Sequence, residues 1–262
     1  KNKLNTGFVG TPLLCNVLTE HGMTDLAYRL LLNEEYPGWL HEVKLGATTV
    51  WERWNSLDEN GRISSTGMNS LNHYSYGAVL EWIFRHVAGI DVTEQGPGGK
   101  MMRISPKVDH KLGSASAVYD SASGCYRCGW QIENGDQITV TITVPFGAKA
   151  QVILPYAPDS VYHDTDNPLF ETVENGICCV KAGQYTVTYK AASPLKKSYS
   201  VDSTLEDLLA EPAIRAFLSN MMEVDMIPDL AYGLTLRQAA EAFAGGVSAE
   251  QAQRLNVLLE EF

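Results

Sequence analysis

The spacing of apolar residues changes twice along this chain, and that change restricts it to a multidomain α and β fold. Up to about residue 90, apolar side chains recur at the three- and four-residue spacing of helices. From about residue 101 to 192 the period falls to two, and after about residue 200 helical spacing returns. The clearest alternation with threonine involves Ile138, Val140, Ile142 and Val144. The pattern predicts an all-α array, then an antiparallel β-sandwich, then a small helical module.

Capping and turn residues predict where the first helices begin and end. Thr11-Pro12 places a helix N-terminus before an apolar stripe, and Gly22 ends that helix. A second helix is expected to begin at Thr24, and a third to run from near Ser70 to Gly89. Short turns between these helices indicate that they pack as pairs.

Gly- and Pro-rich segments and capping motifs predict three domains. The stretch Glu94–Gly99 ends the helical pattern, so residues 1–96 are assigned to the first domain. Residues 97–195, which contain the hairpin turn Asn134-Gly135, are assigned to the β-sandwich. Residues 196–262 are assigned to the helical module. This last segment carries capping boxes at Ser203–Glu206, Thr235–Gln238 and Ser248–Gln251.

Charge and hydropathy argue against two classes of partner. The 20 basic and 31 acidic side chains give a net charge of −11, which disfavours binding to nucleic acid or to an anionic membrane surface. No apolar run reaches the roughly 18 residues that a membrane-spanning helix needs. The chain starts at Lys1 without an initiator methionine or a leader, and we interpret this as processing or as a segment cut from a longer protein.

The cysteines and acidic clusters do not predict a metal or cofactor site. The five cysteines include the adjacent pair Cys178-Cys179, which favours a reducing, cytoplasmic location over a disulfide framework. Cys125 and Cys128 have zinc or redox spacing, but no second pair completes a site, so strand positions are favoured. Asp164–Asn167 carries alternating oxygen ligands but lacks the glycine and terminal glutamate of a calcium loop, so a plain turn is favoured.

Aromatic residues and carboxylates concentrate in two neighbouring segments, Glu35–Leu40 and Gly46–Trp54. Aromatic rings beside a carboxylate suit a sugar site, because the apolar face of a pyranose stacks on tryptophan while glutamate handles protons or hydroxyls. The alternative is structural. Trp51 and Trp54 are three residues apart, so they would share one face of a helix as core residues and leave Glu52 in solvent.

Four motifs in this order and spacing resemble the closing part of the catalytic domain of bacterial α-L-rhamnosidases, a family of inverting glycoside hydrolases. The motifs are Thr6–Pro12, Glu35–Trp39, Gly46–Trp54 and Ser70–Ala78. The resemblance covers residues 1 to about 192 and implies part of an (α/α)6 barrel followed by a β-sandwich. It also implies rhamnose-containing glycosides as substrates and no cofactor. The tail resembles a helical module appended to some clostridial-type glycosidases.

The resemblance assigns roles to individual residues. Glu52 matches the family's general base, and His73 matches a histidine that contacts rhamnose, although a core histidine is the alternative. Trp39 and Trp54 are candidate walls of the pocket, assigned from their chemistry. The family's general acid lies upstream of these motifs and nothing here matches it, so the chain is expected to be inactive by itself.

Three functions therefore remain to be weighed. The favoured one is a C-terminal fragment of an enzyme that hydrolyses terminal non-reducing α-L-rhamnosides with inversion. The others are a non-catalytic carbohydrate- or protein-binding module, against which the single sandwich tryptophan Trp130 argues, and a different (α/α)-barrel enzyme. An incomplete barrel would also expose an apolar helix face and promote a homodimer through residues 1–90. That face comprises Leu13, Leu14, Leu18, Leu30 and Trp82.

Overall fold

The computed structural model divides the chain into two compact units, residues 2–195 and residues 196–262. The Asp164–Asn167 segment, for which the sequence favours a turn, lies outside the described residues. The structure describes residues 3–58, 60–65, 67–162, 172–174, 177–196, 198–243 and 245–260.

The first unit opens with short helices whose starts follow the local sequence signals. Their bounds are α1 Thr11–Glu20, α2 Thr24–Leu31, α3 Trp39–Lys44 and α4 Val79–Trp82. A 3₁₀ turn, Ser75–Ala78, precedes α4, and a π-helical turn, Ile83–Val87, follows it. The starts of α1 and α2 confirm the prediction, and Gly22 between them has a φ of 77°, which glycine adopts without strain.

The last of these helices starts later than predicted. Helical backbone begins at Ser75 rather than near Ser70, because residues 70–73 run beside residues 50–52. The backbone N–H groups of Ser70 and His73 bond to that segment, so they are not available as the free donors of a first helical turn.

Two further features of the helical region differ from the prediction. The helix α3 is an addition to the prediction, which has no helix between the one that begins at Thr24 and the one expected from near Ser70. Residues 46–54 are not helical, so Trp51 and Trp54 do not share a helix face, although both are buried. Their burial comes from tertiary packing and not from helical spacing.

The apolar face that was expected to be exposed is mostly buried within the chain. Leu18, Leu30 and Trp82 are 8%, 4% and 0% exposed, because α1, α2 and α4 pack on one another. The Trp82 indole N–H also donates to the hydroxyl of Thr19 at 2.8 Å. Leu13 remains 60% exposed, so the predicted dimer face is wrong for its three buried members and the homodimer itself stays a prediction.

Two sheets form the sandwich. The five-stranded sheet has the order β1-β2-β6-β8-β7 and the four-stranded sheet the order β3-β4-β5-β9. The bounds are β1 Ile90–Val92, β2 Met101–Ile104, β3 Ser114–Ser121, β4 Gly124–Glu133, β5 Gln137–Val144, β6 Lys149–Val152, β7 Thr172–Glu174, β8 Ile177–Val180 and β9 Gly183–Lys190. A one-turn helix, α5 Asp159–Tyr162, follows β6. The predicted fold class is confirmed.

One strand pair departs from the expected antiparallel pattern. β2 and β6 are parallel, with Met101 opposite Lys149 and Ile104 opposite Val152. Between them the chain forms β3, β4 and β5 of the other sheet, and this long connection allows a parallel return. β1 pairs with β2 and therefore joins the sandwich before Glu94–Gly99, the segment at which the sequence places the boundary.

Local sequence rules predict the centre of the sandwich well. Asn134 and Gly135 both have positive φ angles in the turn that joins β4 to β5, which confirms the hairpin. Cys125 and Cys128 lie on β4, and Cys128 is buried. All five cysteines are unpaired. The alternating apolar residues of β5 are all at most 3% exposed: Ile138, Val140, Ile142 and Val144.

Buried hydrogen bonds join the helices of the first unit to its sandwich. The Trp130 indole N–H of β4 donates to the carbonyl of Val87 at 2.7 Å, and the Tyr28 hydroxyl of α2 donates to the carbonyl of Lys107. Trp130 is only 3% exposed. The tryptophan of the sandwich therefore anchors the helical region and does not present a surface for stacking.

The second unit contains helices around its own apolar core, which includes Leu208, Ile214 and Leu259. Two predicted capping boxes form as reciprocal pairs, Thr235 with Gln238 and Ser248 with Gln251. The third is displaced by one residue, since Thr204 and not Ser203 caps its helix. The bounds are α6 Leu205–Ala210, α7 Pro212–Ser219, α8 Leu236–Phe243 and α9 Ala249–Glu260.

Across the described ranges, no helix combines the length and apolar character needed to cross a bilayer.

Candidate active site

Glu52 and His73 lie on two adjacent non-helical segments that backbone hydrogen bonds hold together. The Glu52 N–H donates to the carbonyl of Ser70 at 2.9 Å, and the His73 N–H donates to the carbonyl of Val50 at 2.8 Å. The hydroxyl of Thr49 also donates to a carbonyl of the second segment. The structure therefore brings together the two residues that the resemblance assigns to catalysis and sugar contact.

The Glu52 carboxylate is half-buried and fixed by the same pairing. Its Oε2 accepts a hydrogen bond from the backbone N–H of Ser70 at 2.9 Å, so Ser70 bonds both the backbone and the side chain of Glu52. A backbone donor on an ionised carboxylate makes a strong, directional bond. One oxygen is thereby oriented by the main chain, and the carboxylate is held in a defined position.

The His73 imidazole stacks with two aromatic rings. Its centroid is 5.0 Å from that of Phe8 and 5.5 Å from that of Tyr74, with interplanar angles of 15° and 8°. Its Nδ1 accepts from the N–H of Ser75 at 3.3 Å, so in the neutral ring Nε2 carries the proton. The imidazole is half-buried and presents a donor, which suits contact with a sugar hydroxyl.

Trp39 and Trp54 belong to a buried aromatic cluster centred on Tyr76. The Trp54 ring stacks on Tyr76 at 3.9 Å with an interplanar angle of 3°, and Trp39 meets Trp54 edge-on at 5.3 Å. The Trp39 indole N–H donates to the Tyr76 carbonyl at 3.0 Å, and that of Trp54 to the Thr6 carbonyl at 3.4 Å. Both indoles therefore support the site through packing, and their contact with sugar stays a prediction.

Sequence reasoning missed three residues of this region. Phe8 and Tyr74 stack with His73 and are 37% and 85% exposed; their place in the motifs Thr6–Pro12 and Ser70–Ala78 is a signal that could have found them. Glu42 of α3 is the third. It is only 3% exposed, and its Oε2 accepts from the N–H of Trp51 at 3.4 Å. No spacing rule singles out one glutamate on a short helix.

The environment of Glu42 is unusual for a carboxyl group. Burial raises its pKa to about 8, and the hydrogen bond from Trp51 opposes that rise only in part. Within the described part of the chain, its other oxygen, Oε1, has no hydrogen-bond partner although it is buried. Burial also raises the pKa of the Tyr76 phenol, and the Glu42 carboxylate adds to that shift.

The described residues contain no group of three or more His, Cys, Asp or Glu side chains arranged to bind a metal ion.

Two family models match adjacent parts of the chain. The bacterial α-L-rhamnosidase 6 hairpin glycosidase domain matches residues 1–87, which include Glu52 and His73. The bacterial α-L-rhamnosidase C-terminal domain matches residues 89–167, which form most of the sandwich.

Curated relatives carry the same name. An α-L-rhamnosidase of Alteromonas sp. (strain LOR) is 41% identical over 184 residues, which are 70% of this chain and 19% of the relative. One from Formosa agariphila is 40% identical over 174 residues, 66% of this chain and 18% of the relative. This chain thus spans about a fifth of the length of these relatives.

Solved structures agree with these matches. The Streptomyces avermitilis α-L-rhamnosidase complexed with L-rhamnose aligns with a TM-score of 0.63 at 36% identity, covering 72% of this chain and 18% of that one. The α-L-rhamnosidase of Aspergillus terreus aligns with a TM-score of 0.61 at 30% identity, covering 71% and 20%. With both domain models, the relatives and the fold in agreement, this chain belongs to the bacterial α-L-rhamnosidase family.

Proposed function

We propose that this chain is the C-terminal part of a longer α-L-rhamnosidase, which hydrolyses terminal non-reducing α-L-rhamnosides with inversion, and that Glu52 is its general base. The observation that carries the proposal is that the Glu52 carboxylate is fixed by the N–H of Ser70, on the same segment as His73. Both residues lie within the part that matches the family's helical domain. The L-rhamnose complex of the Streptomyces relative supports the choice of sugar.

In this mechanism Glu52 activates water. Its Oε2 is bonded to Ser70, so Oε1 is the atom that accepts a proton from the water attacking the anomeric carbon. Attack from the face opposite the leaving group inverts the configuration at that carbon. The hydrogen bond from the Ser70 N–H restrains rotation of the carboxylate. The base is therefore already oriented when the substrate binds.

His73 and the rings beside it would position the sugar. With its Nδ1 bonded to Ser75, the imidazole donates through Nε2 to a sugar hydroxyl. Phe8 and Tyr74 stack with the imidazole and remain 37% and 85% exposed, and aromatic rings open to solvent suit the apolar face of a pyranose.

The leaving-group proton would come from a part of the enzyme outside this chain. An inverting glycosidase needs a carboxylic acid about 6.5–9.5 Å from the base, so that a water molecule fits between the base and the sugar. We assign that acid to the upstream part of the catalytic domain. The chain by itself would therefore bind and orient water without being able to complete the reaction.

Neither alternative function gains from the structure. A carbohydrate-binding sandwich would use an exposed tryptophan, whereas Trp130 is buried and bonded to Val87. Family membership also disfavours an unrelated (α/α)-barrel enzyme. We further propose a reducing compartment, the cytoplasm, because all five cysteines are unpaired.

The proposed function is tested by Glu52→Gln in the full-length protein. The amide does not accept the water proton, so we expect turnover of a nitrophenyl α-L-rhamnoside to fall by at least about 10²- to 10⁴-fold, with an unchanged circular dichroism spectrum. Glu20→Gln is the matched control, since Glu20 is an exposed carboxylate at the end of α1. Proton NMR of the first product checks inversion. Activity retained by a folded Glu52→Gln enzyme would overturn the assignment.

A further inference from the structure

The peptide unit that joins Val50 to Trp51 is held from both sides. Its carbonyl accepts from the N–H of His73 at 2.8 Å. Because the carbonyl and N–H of a trans peptide point in opposite directions, the Trp51 N–H faces away from His73, and there it meets the Oε2 of Glu42 at 3.4 Å. Trp51, whose N–H belongs to this peptide unit, immediately precedes Glu52.

Glu42 also controls how the chain reaches this peptide unit. Its backbone carbonyl accepts from the N–H of Ala47 at 3.0 Å, just after Gly46 reverses the chain with a φ of 87°. Its side-chain carboxyl accepts from the N–H of Trp51, four residues after Ala47. One residue of α3 therefore bonds both ends of the loop that leads to Glu52.

The described residues offer no second acceptor for the Trp51 N–H. Trp51 is 2% exposed and Glu42 is 3% exposed, so water has little access to the N–H. Within the described ranges, Glu42 is the acceptor found for the Trp51 N–H. A buried N–H that loses its acceptor favours a backbone shift that restores one. Any such shift moves Glu52, which follows Trp51 directly in the chain.

We infer that Glu42 is a positioning residue for the reaction, whose carboxyl fixes the peptide unit between Val50 and Trp51 and thereby the placement of the Glu52 carboxylate. The inference rests on the proposed function, because it concerns the same site. We assign Glu42 no contact with the sugar or the attacking water, because its side chain is buried. It acts through the main chain, and its effect should appear in turnover more than in substrate affinity.

The chemistry of Glu42 selects the variants for the test. With its pKa raised to about 8 by burial, the carboxyl is mostly protonated near neutral pH, so glutamine is its closest neutral mimic and keeps an oxygen that accepts from Trp51. Methionine has a similar length but offers no comparable acceptor. Aspartate keeps the acceptor but is one methylene too short to reach Trp51.

The experiment measures kcat and KM on a nitrophenyl α-L-rhamnoside for the full-length protein and its variants. Glu42→Met should lower kcat by about 10- to 100-fold with KM changed less than about threefold, since small displacements of a catalytic group have effects of this size. Glu42→Gln should keep kcat within about threefold of the wild type. If Glu42→Met does not fold, Glu42→Asp takes its place with the same expectation.

Thr19→Val is the matched structural control. Thr19 is 8% exposed and accepts the indole N–H of Trp82, so the variant also removes one buried acceptor, but far from Glu52 in sequence. We expect it to lower stability and leave kcat unchanged. An equal fall in kcat for Thr19→Val and Glu42→Met would overturn the positioning role, as would wild-type kcat in folded Glu42→Met or loss of kcat in Glu42→Gln.

A parallel Glu52→Gln arm separates the two proposals. If Glu52→Gln removes turnover while Glu42→Met does not, only the role of Glu42 is overturned. If Glu52→Gln retains turnover, the proposed function is overturned and the inference about Glu42 with it.

Discussion

Two segments of this chain carry the signals of a helix start, yet only one of them begins a helix. Thr235 exchanges hydrogen bonds with Gln238, three residues on, and α8 follows directly. Ser70 has His73 at the corresponding position, which makes no such exchange, and its N–H bonds the carboxylate of Glu52 instead. A helix-start motif is reliable where its own side chains accept from the backbone N–H groups at the helix start. It fails where a carboxylate distant in the sequence accepts from one of those N–H groups instead.

The first prediction concerns the region around Glu52 as a whole. The isolated 262-residue chain should not hydrolyse a nitrophenyl α-L-rhamnoside faster than buffer, because a general base does not replace the acid that protonates the leaving oxygen. A symmetric pair of chains would add only a second base in the same environment. Saturable hydrolysis by the pure chain, abolished by Glu52→Gln, would show that the acid lies within it.

The second prediction tests whether His73 belongs to the site or to the core. In the full-length protein, His73→Ala should raise KM and lower kcat, with kcat/KM reduced by about tenfold or more, because a hydrogen bond to the sugar that tightens in the transition state affects both constants. His41→Ala is the control for removing an imidazole, with kcat/KM expected to stay unchanged. His41 lies on α3, where the edge of one ring meets the face of the other in its contact with Tyr36. An unchanged kcat/KM in His73→Ala would assign the imidazole to packing alone.

The regular elements of this fold could be predicted because their causes are local. The two-residue period of β5 places its apolar side chains in the core, and the Asn134-Gly135 turn joins it to β4, both as expected. The start of α1 at Thr11 is likewise encoded by neighbouring residues. The parallel pairing of β2 with β6 was not predictable, since no local pattern records which strands meet after a long connection.

The site could be predicted only in part, and for a different reason. Glu52 and His73 were found through their resemblance to a family, whereas the segments around them follow no helical or strand period. Trp51 and Trp54 illustrate the limit. Their spacing suggested a helix face, but neither lies in a helix; both are buried, and Trp54 stacks on the ring of Tyr76, a residue distant in the sequence. Glu42 had no sequence signal, because its importance comes from burial.

The third prediction concerns the apolar surface that the helical region exposes. Leu13 and Val17 are one turn apart on α1 and are 60% and 47% exposed. We expect the isolated chain to self-associate through them at tens of micromolar, because exposed apolar surface favours association. Leu13→Lys combined with Val17→Lys should yield a monomer by light scattering. A monomeric wild-type chain under these conditions would contradict the prediction.

The fourth prediction returns to the two helix-start signals and compares their side chains. Thr235→Ala removes the hydroxyl that accepts from the Gln238 N–H, and loss of such a cap costs about 1 kcal/mol of unfolding free energy. Ser70→Ala removes a hydroxyl that, among the described residues, bonds the nearby backbone of Asn72. It leaves the Ser70 N–H on Glu52, so both the loss of stability and the loss of turnover should be small.

Urea unfolding followed by circular dichroism measures both variants, and rhamnoside hydrolysis by the full-length protein provides the second readout. If only Thr235 acts as a helix cap, Thr235→Ala lowers the free energy of unfolding and leaves kcat unchanged. Ser70→Ala then changes the free energy of unfolding and kcat only slightly. A cost for Ser70→Ala equal to that of Thr235→Ala would mean that the Ser70 hydroxyl acts as a helix cap after all. A large loss of kcat in Ser70→Ala would mean that the side chain, and not the backbone N–H, holds the Glu52 carboxylate in place.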